Sequence, residues 1–258
     1  MIKQHPTAII SPKAQLGENV EIGPYVIIED DVTVDEGTFI GPHACLYNGA
    51  RLGKNVRVYQ SASISHRPQD LKYANEPTEA FIGDETVIHE FVTVHRGTTA
   101  TRKTIVGKNV LLMACSHIAH DCRVGDNCII ANGVLLAGHV HIDDWTILGG
   151  AALVHQFTQI GRNCMIGGGY RITQDVPPYV LQAGEPLRYE GLNVVGLRRR
   201  GFNTEQLATL KNVYQILFNK SHNVSQARAI IETTFPGDPL VETVLEFLRR
   251  SKRGIAGK

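Results

Sequence analysis

Five of the eleven histidines fall between positions 117 and 155, namely His117, His120, His139, His141 and His155. An imidazole titrates near neutrality, so such a group can serve as a general base, and it is also the commonest zinc ligand. The five are gathered in HIAHD (117–121), LAGHV (136–140), HI (141–142) and VHQF (154–157). Adding 18 to His120 gives Gly138, and adding 18 again gives Gln156; Asp121 projects onto His139, and His155 lies above Ala137. If eighteen residues make one turn of some repeating structure, these segments share one edge of three consecutive turns and form one polar site. A solvent-facing side also carries histidine by chance, and His141, just before Ile142, reads as an ordinary surface residue. Cys122 offers a third chemistry, a thiol nucleophile, although small residues also fill tight interiors. A base, a metal shell and a structural cluster all remain open on these residues alone.

The number eighteen comes from the elements that must carry the histidines. An aliphatic residue returns at every sixth position from Ile10 to Ile172, and only Asp70, Glu76 and Ala100 break the phase. A period of six fits neither an α-helix nor a simple strand. It marks hexapeptide parallel β-helices, in which three short strands make a triangular coil and stacking buries what no coil buries alone. About nine coils predict a prism roughly 45 Å tall, at ~4.8 Å per coil. Glycine, asparagine and aspartate cluster between the aliphatic positions, as in Gly53-Lys54-Asn55 and Gly125-Asp126-Asn127, where tight corners are expected. The comb fails at 65–80 (SHRPQDLKYANEPTEA), which reads as a projecting loop, and at 97–104 (GTTATRKT), a shorter excursion.

Past Ile172 the period changes. Leu207, Leu210, Tyr214, Leu217 and Phe218 follow helical spacing. Asn203 with Gln206 predicts a capping box, Asn223 with Gln226 a second helix, and Asp238-Pro239 a third. The expected fold is therefore mainly β: a parallel β-helix of hexapeptide repeats over 1–185, with the loop 65–80, and a C-terminal α-helical domain over 186–258.

Bulk properties narrow the setting. A formal net charge of +1 argues against nucleic acid as the main partner. The start, MIKQHPTAIISPK, has no apolar core of a signal peptide, and no stretch reaches the length of a membrane span. Five scattered cysteines (Cys45, Cys115, Cys122, Cys128, Cys164) fit reduced thiols better than a disulfide framework. The expectation is a soluble, cytoplasmic protein.

Several strings resemble one family. HIAHDC (117–122), LAGHV (136–140), AALVHQF (151–157), QDVPPYV (174–180) and GLRRRGF (196–202) are similar to the UDP-N-acetylglucosamine acyltransferases, as are QDLKYANEPT (69–78), IGD (82–84) and VTVHRGT (92–98). The resemblance implies a left-handed β-helix, an exception to the usual crossover hand, and a homotrimer with active sites in the clefts between prisms. It implies acyl transfer from acyl carrier protein to the 3-hydroxyl of UDP-N-acetylglucosamine, the opening step of lipid A biosynthesis, with no metal or other cofactor. His120 matches the general base, Asp121 the residue that holds its ring, and Gly138 the backbone N–H that meets the oxyanion. Asp70 and Lys72 match contacts to the sugar and phosphate region. His117, His139, His155 and Gln156 match the lining of the substrate cleft, and Asn193, Arg199 and Arg200 match contacts to the nucleotide. Met165 and Gly168 match the region that limits acyl length, where a glycine leaves room for a long chain. The basic tail Arg249, Arg250, Lys252 and Arg253 would suit an acidic carrier. One departure is Val195, where relatives often carry an acidic residue. Two alternatives stand beside this reading: amide formation on a 3-amino analogue of the sugar, and a zinc carbonic anhydrase built on the same prism.

Overall fold

The computed structural model describes residues 2–258. Most strands are two residues long, and the chain visits three sheets in turn, of eleven, nine and eight strands. Within the prism all pairing is parallel, with partners one coil apart: Ile22 beside Ile40 in the first sheet, Ile28 beside Leu46 in the second, Val34 beside Leu52 in the third. This is a left-handed parallel β-helix.

Strand residues alternate in direction, so the second residue of each pair points inward and supplies the comb. Ile40, Leu46, Ile64, Ile88, Ile118 and Leu136 are fully buried, each contributing about 1.5–3 kcal/mol relative to exposure. Ile10 and Leu16 are only half-buried, because the first coil has no coil beneath it. Buried threonines stitch one corner: Thr38 Oγ1 donates to the Gly53 carbonyl (2.9 Å) and accepts from the Val56 N–H (3.1 Å). Thr86 and Thr146 repeat that bridge further along the prism.

Corners need a left-handed residue, and asparagine fills it at Asn19, Asn55, Asn109, Asn127 and Asn163. The expectation of small polar corners fails elsewhere, for Tyr25, Trp145, Phe157 and His139 adopt the same positive φ. The stacked coils hold these conformations against a cost of about 1–3 kcal/mol each.

The two breaks in the comb eject two hexapeptides and then one. Across 65–80 the register jumps, so that Ile64 pairs with Val94 and Leu52 with Ile82; across 97–104, Val94 pairs with Ile118 and Ile82 with Val106. Both insertions are multiples of six residues, which is why the comb resumes in phase after each.

The prism ends in strand Val180–Ala183, which pairs antiparallel with Arg188–Leu192. Four helices follow: α1 (Val194–Arg199), α2 (Thr204–Leu217), α3 (Val224–Thr234) and α4 (Pro239–Arg250). The capping boxes of Asn203–Gln206 and Asn223–Gln226 open α2 and α3, and Asp238 caps α4 with Pro239 in its first turn. The short α1 is an addition to the expected set. Buried Asp175 ties the end of the chain to the prism, accepting from the Ser251 hydroxyl and the N–H groups of Lys252 and Arg253. Among the described residues no helix is long and apolar enough to cross a membrane.

Candidate active site

Strand pairing brings HIAHD, LAGHV and VHQF together where the chain turns from the second sheet to the third. The coil spacing places Gly138 against His120 so closely that a Cβ at 138 would lie 2.6 Å from Cε1 and 2.7 Å from Nε2 of the ring. Only a residue without a side chain fits there. A cavity of about 490 Å³ opens over this corner, lined by His117, His120, Gly138, His155 and Gln156, with Leu135 and Leu153 on its floor.

His120 Nδ1 lies 2.8 Å from the Asp121 carboxylate. With an ionised acceptor there, Nδ1 carries the proton and Nε2 is the free base on the cavity side. The Asp121 side chain is wholly shielded from solvent. Burial pushes its carboxyl up, but hydrogen bonds from His120, Thr101 and Thr98 outweigh burial and hold it well below the usual range.

His139 packs edge-on to His120, with ring centroids 5.2 Å apart, and stacks flat on Phe157 at 4.5 Å. Burial lowers its pKa, while the Asp121 and Asp70 carboxylates pull the other way. His117 Nδ1 meets Thr93 Oγ1 at 2.7 Å, and burial followed by the nearby His120 depresses its pKa. Behind it lies His95, 4.8 Å ring to ring from His117 and nearly fully buried. Burial pushes the His95 pKa down to about 4. Neither Thr93 nor His95 stood out as a site residue in the sequence. Their signal was the string VTVHRGT, displaced from the eighteen-residue register by the ejected hexapeptide.

The projecting loop reaches the same corner. Gln69 lines the cavity, and half-buried Asp70 is near enough to His139 to oppose in part the lowering of its pKa by burial. Lys72 is exposed, and its N–H donates to the Asp70 carboxylate at 2.9 Å. Arg96 holds the loop down, donating to the Tyr73 hydroxyl (2.9 Å) and the Asn48 carbonyl (2.8 Å).

Two competing chemistries lose ground. Donor atoms of His120, Asp121 and His139 lie within 4.8 Å of one another. The two Asp121 oxygens, however, already accept five hydrogen bonds, and His120 turns Nδ1 toward them. A zinc ion would have to displace that shell, so the donor set does not fit one. Cys122 is buried, its thiol pushed up to about 12 by burial, with Sγ donating to the Ala137 carbonyl at 3.1 Å. It is a filler of the prism and not a nucleophile.

Five expected site residues do not join His120 in one chain. Asn193 is buried as the N-cap of α1, and its Nδ2 donates to the Asn163 carbonyl at 3.0 Å. Arg200 lies over the Trp145 ring at 5.1 Å, with a buried Nη1 that has no partner. Asn163 and Trp145 mark the corner between the third and first sheets. Exposed Arg199 stands in α1 beside them, and Val195 there is 63% exposed. Met165 is in the first sheet, and Gly168 sits at the remaining corner, where a Cβ would lie 2.8 Å from the Gly150 carbonyl. The absent side chain at 168 is therefore also required for coils to stack.

Of the basic tail, Arg249 is paired with Glu232 and Glu242, and Arg250 with Asp143. Lys252 and Arg253 remain, lining a groove with His139 and Phe157.

Comparison with known proteins places these features. Residues 175–256 match the family described as Udp N-acetylglucosamine O-acyltransferase, domain 2, and residues 13–48 and 103–138 match the bacterial transferase hexapeptide repeats. The UDP-N-acetylglucosamine acyltransferase of Bacteroides fragilis is 42% identical over 97% of this chain and 98% of its own, with a TM-score of 0.95. That of Francisella novicida is 36% identical over 99% of this chain and 93% of its own, with a TM-score of 0.95. The enzyme of Campylobacter jejuni is 33% identical over 99% of this chain and 100% of its own, with a TM-score of 0.93.

Proposed function

Given that the chain belongs to the UDP-N-acetylglucosamine acyltransferases, we propose that it takes its acyl group from acyl carrier protein and esterifies the sugar 3-hydroxyl, with His120 as the base. The observation that carries the mechanism is the contact of the His120 ring, held by Asp121, with the bare backbone of Gly138.

The hydroxyl is a poor nucleophile until it loses its proton. His120 Nε2 accepts that proton as the oxygen attacks the thioester carbonyl, and Asp121 stabilises the imidazolium that results. Negative charge then collects on the former carbonyl oxygen. The Gly138 N–H makes no hydrogen bond to another described protein group, which leaves it available to that oxyanion. On the same edge the first coil carries Pro12, and Pro24 and Pro42 hold the same place in their hexapeptides at another edge, so the coil does not need an N–H there. Collapse of the intermediate breaks the carbon–sulfur bond, and the imidazolium returns the proton to the departing thiolate. The outward Leu135 and Leu153, 45% and 41% exposed beside His117, offer apolar surface to an acyl chain.

A homotrimer supports this reading best, because Asn193, Arg199, Arg200, Met165 and Gly168 stand at other edges of the prism from His120. In a three-fold assembly a neighbouring subunit brings the nucleotide-binding arginines to the His120 corner; guanidinium forks suit a diphosphate. Ile9 and Ile27, 68% and 41% exposed on the second sheet, supply apolar surface for such packing. Lys252 and Arg253, neither held in an ion pair among the described residues although Arg253 Nε donates to the Thr173 carbonyl at 3.1 Å, offer the carrier their positive charge. The setting proposed is the cytoplasm, as the opening step of lipid A biosynthesis.

The test is incubation with UDP-N-acetylglucosamine, its 3-amino analogue and a panel of acyl carrier thioesters, read by mass spectrometry. We expect an O-acyl product, with turnover lower by about 10²–10⁴ in His120→Ala. Product from neither acceptor overturns the reaction, and near-normal turnover of His120→Ala overturns the base.

A further inference from the structure

The excursion 97–104, which adds six residues to its coil, carries side chains that the reaction as described leaves without a role. Four of the five hydrogen bonds to Asp121 come from it. The Thr98 N–H and the Thr101 N–H donate to Oδ1 at 3.0 and 3.2 Å, the Thr101 hydroxyl to Oδ1 at 2.5 Å, and the Thr98 hydroxyl to Oδ2 at 2.7 Å. The fifth comes from His120. Thr98 is buried and Thr101 exposed. The segment is itself braced, since the Thr99 N–H donates to Glu76 Oε1 at 3.3 Å and Glu76 Oε2 accepts from the Ala74 N–H at 2.8 Å. A continuous set of contacts thus runs from the projecting loop, through 97–104, to the carboxylate that holds the proposed base.

We propose that Thr98 and Thr101 are positioning residues for the acyl transfer, fixing the Asp121 carboxylate so that it grips Nδ1 of His120 and leaves Nε2 open. This rests on His120 being the base. A carboxylate buried with a single partner would rotate freely or take up a proton, and either change releases the imidazole. Two hydroxyls and two N–H groups lock its plane and spread its charge. The other charged or titratable groups facing the pair are His139, His117 and His95, with Asp70 beyond His139 and the buried, neutral Cys122 thiol beside Asp121. None of these donates to Asp121 within hydrogen-bond distance, the nearest being His139 Nε2 at 3.8 Å. The threonines are therefore the groups that set the carboxylate.

Replacing one hydroxyl with a methyl, while the other three donors keep the carboxylate on Nδ1, leaves more negative charge for His120 to feel, so the imidazolium is favoured and the acid limb of kcat/KM moves to higher pH. The experiment compares wild type, Thr98→Val, Thr101→Val and the two Ser variants. It measures the pH profile, kcat and KM for the sugar nucleotide, and the ¹⁵N shifts of the His120 ring across pH. Each Val variant is expected to lose roughly 10- to 100-fold in kcat, with KM unchanged, the acid limb and the His120 titration raised, and recovery in the Ser variant. The ring titration needs no turnover, so it reads the clamp even if the proposed reaction fails. Because Thr98 is buried, the exposed Thr101 gives the deciding variant. A Thr101→Val enzyme whose His120 titrates as in wild type overturns the proposal, as does a loss of turnover that Thr101→Ser does not restore.

Discussion

A carboxylate closed off from solvent and surrounded by five donors stays ionised at neutral pH, so Asp121 is suited to orienting the His120 ring and to stabilising its cation. His95 presents the opposite case, a base held neutral. Its folded pKa of about 4 lies below the ordinary imidazole value of 6.5, burial being the main cause. The unfolded chain therefore binds a proton that the folded chain refuses as pH falls below the unfolded value. The penalty is absent at pH 7, grows as pH falls from about 6.5, and reaches its full size near 4. We expect thermal stability to decline across that window, and to decline less in His95→Gln. Parallel pH–stability curves for the two proteins would rule this out. At this scale the sequence was legible where the ruler applied. Counting eighteen found the pairing of His120 with Gly138, because no insertion separates them. It could not find His95, Thr98 or Thr101, whose coil neighbours lie across an ejected hexapeptide.

The elements followed local rules closely. The capping residues named the starts of α2, α3 and α4 because a cap bonds to N–H groups two or three residues on, and such geometry is local in sequence. Asn203→Ala removes the acceptor for the Gln206 N–H, 2.8 Å away. It should cost about 1 kcal/mol in chemical denaturation while leaving turnover intact; an unchanged midpoint would mean that packing alone holds α2. The short α1 has a cap of the same local kind, Asn193 accepting from the Gly196 N–H, but its six residues are too few to show helical spacing. The gaps at Asp70, Glu76 and Ala100 contained more than they first disclosed. Counted as whole hexapeptides, two and then one, they convert eighteen into the observed jumps from Ile64 to Val94 and from Val94 to Ile118.

At the scale of the molecule, the proposed site is divided. One chain gathers His120, Asp121, Gly138, His139 and the loop residue Asp70 at one edge, while Asn193 and Arg200 stand at another. If neighbouring subunits complete each other, His120→Ala and Arg200→Ala chains, each poor alone, should recover activity when assembled together. With random equal mixing about a quarter of the clefts regain both residues. No recovery in mixed assemblies would place the whole site within one chain.

The sequence by itself determined the prism, its coil length, the two excursions, the helical tail and the contact of His120 with Gly138. Each of these depends on a period or on a spacing free of insertions, and periodicity survives in one dimension. Only the tertiary structure decided which edge each residue occupies, what surrounds Asp121, that Arg249 and Arg250 are already paired, and that Cys122 is sealed inside. Those outcomes depend on burial and on contacts between distant segments, and both arise only when the coils have stacked.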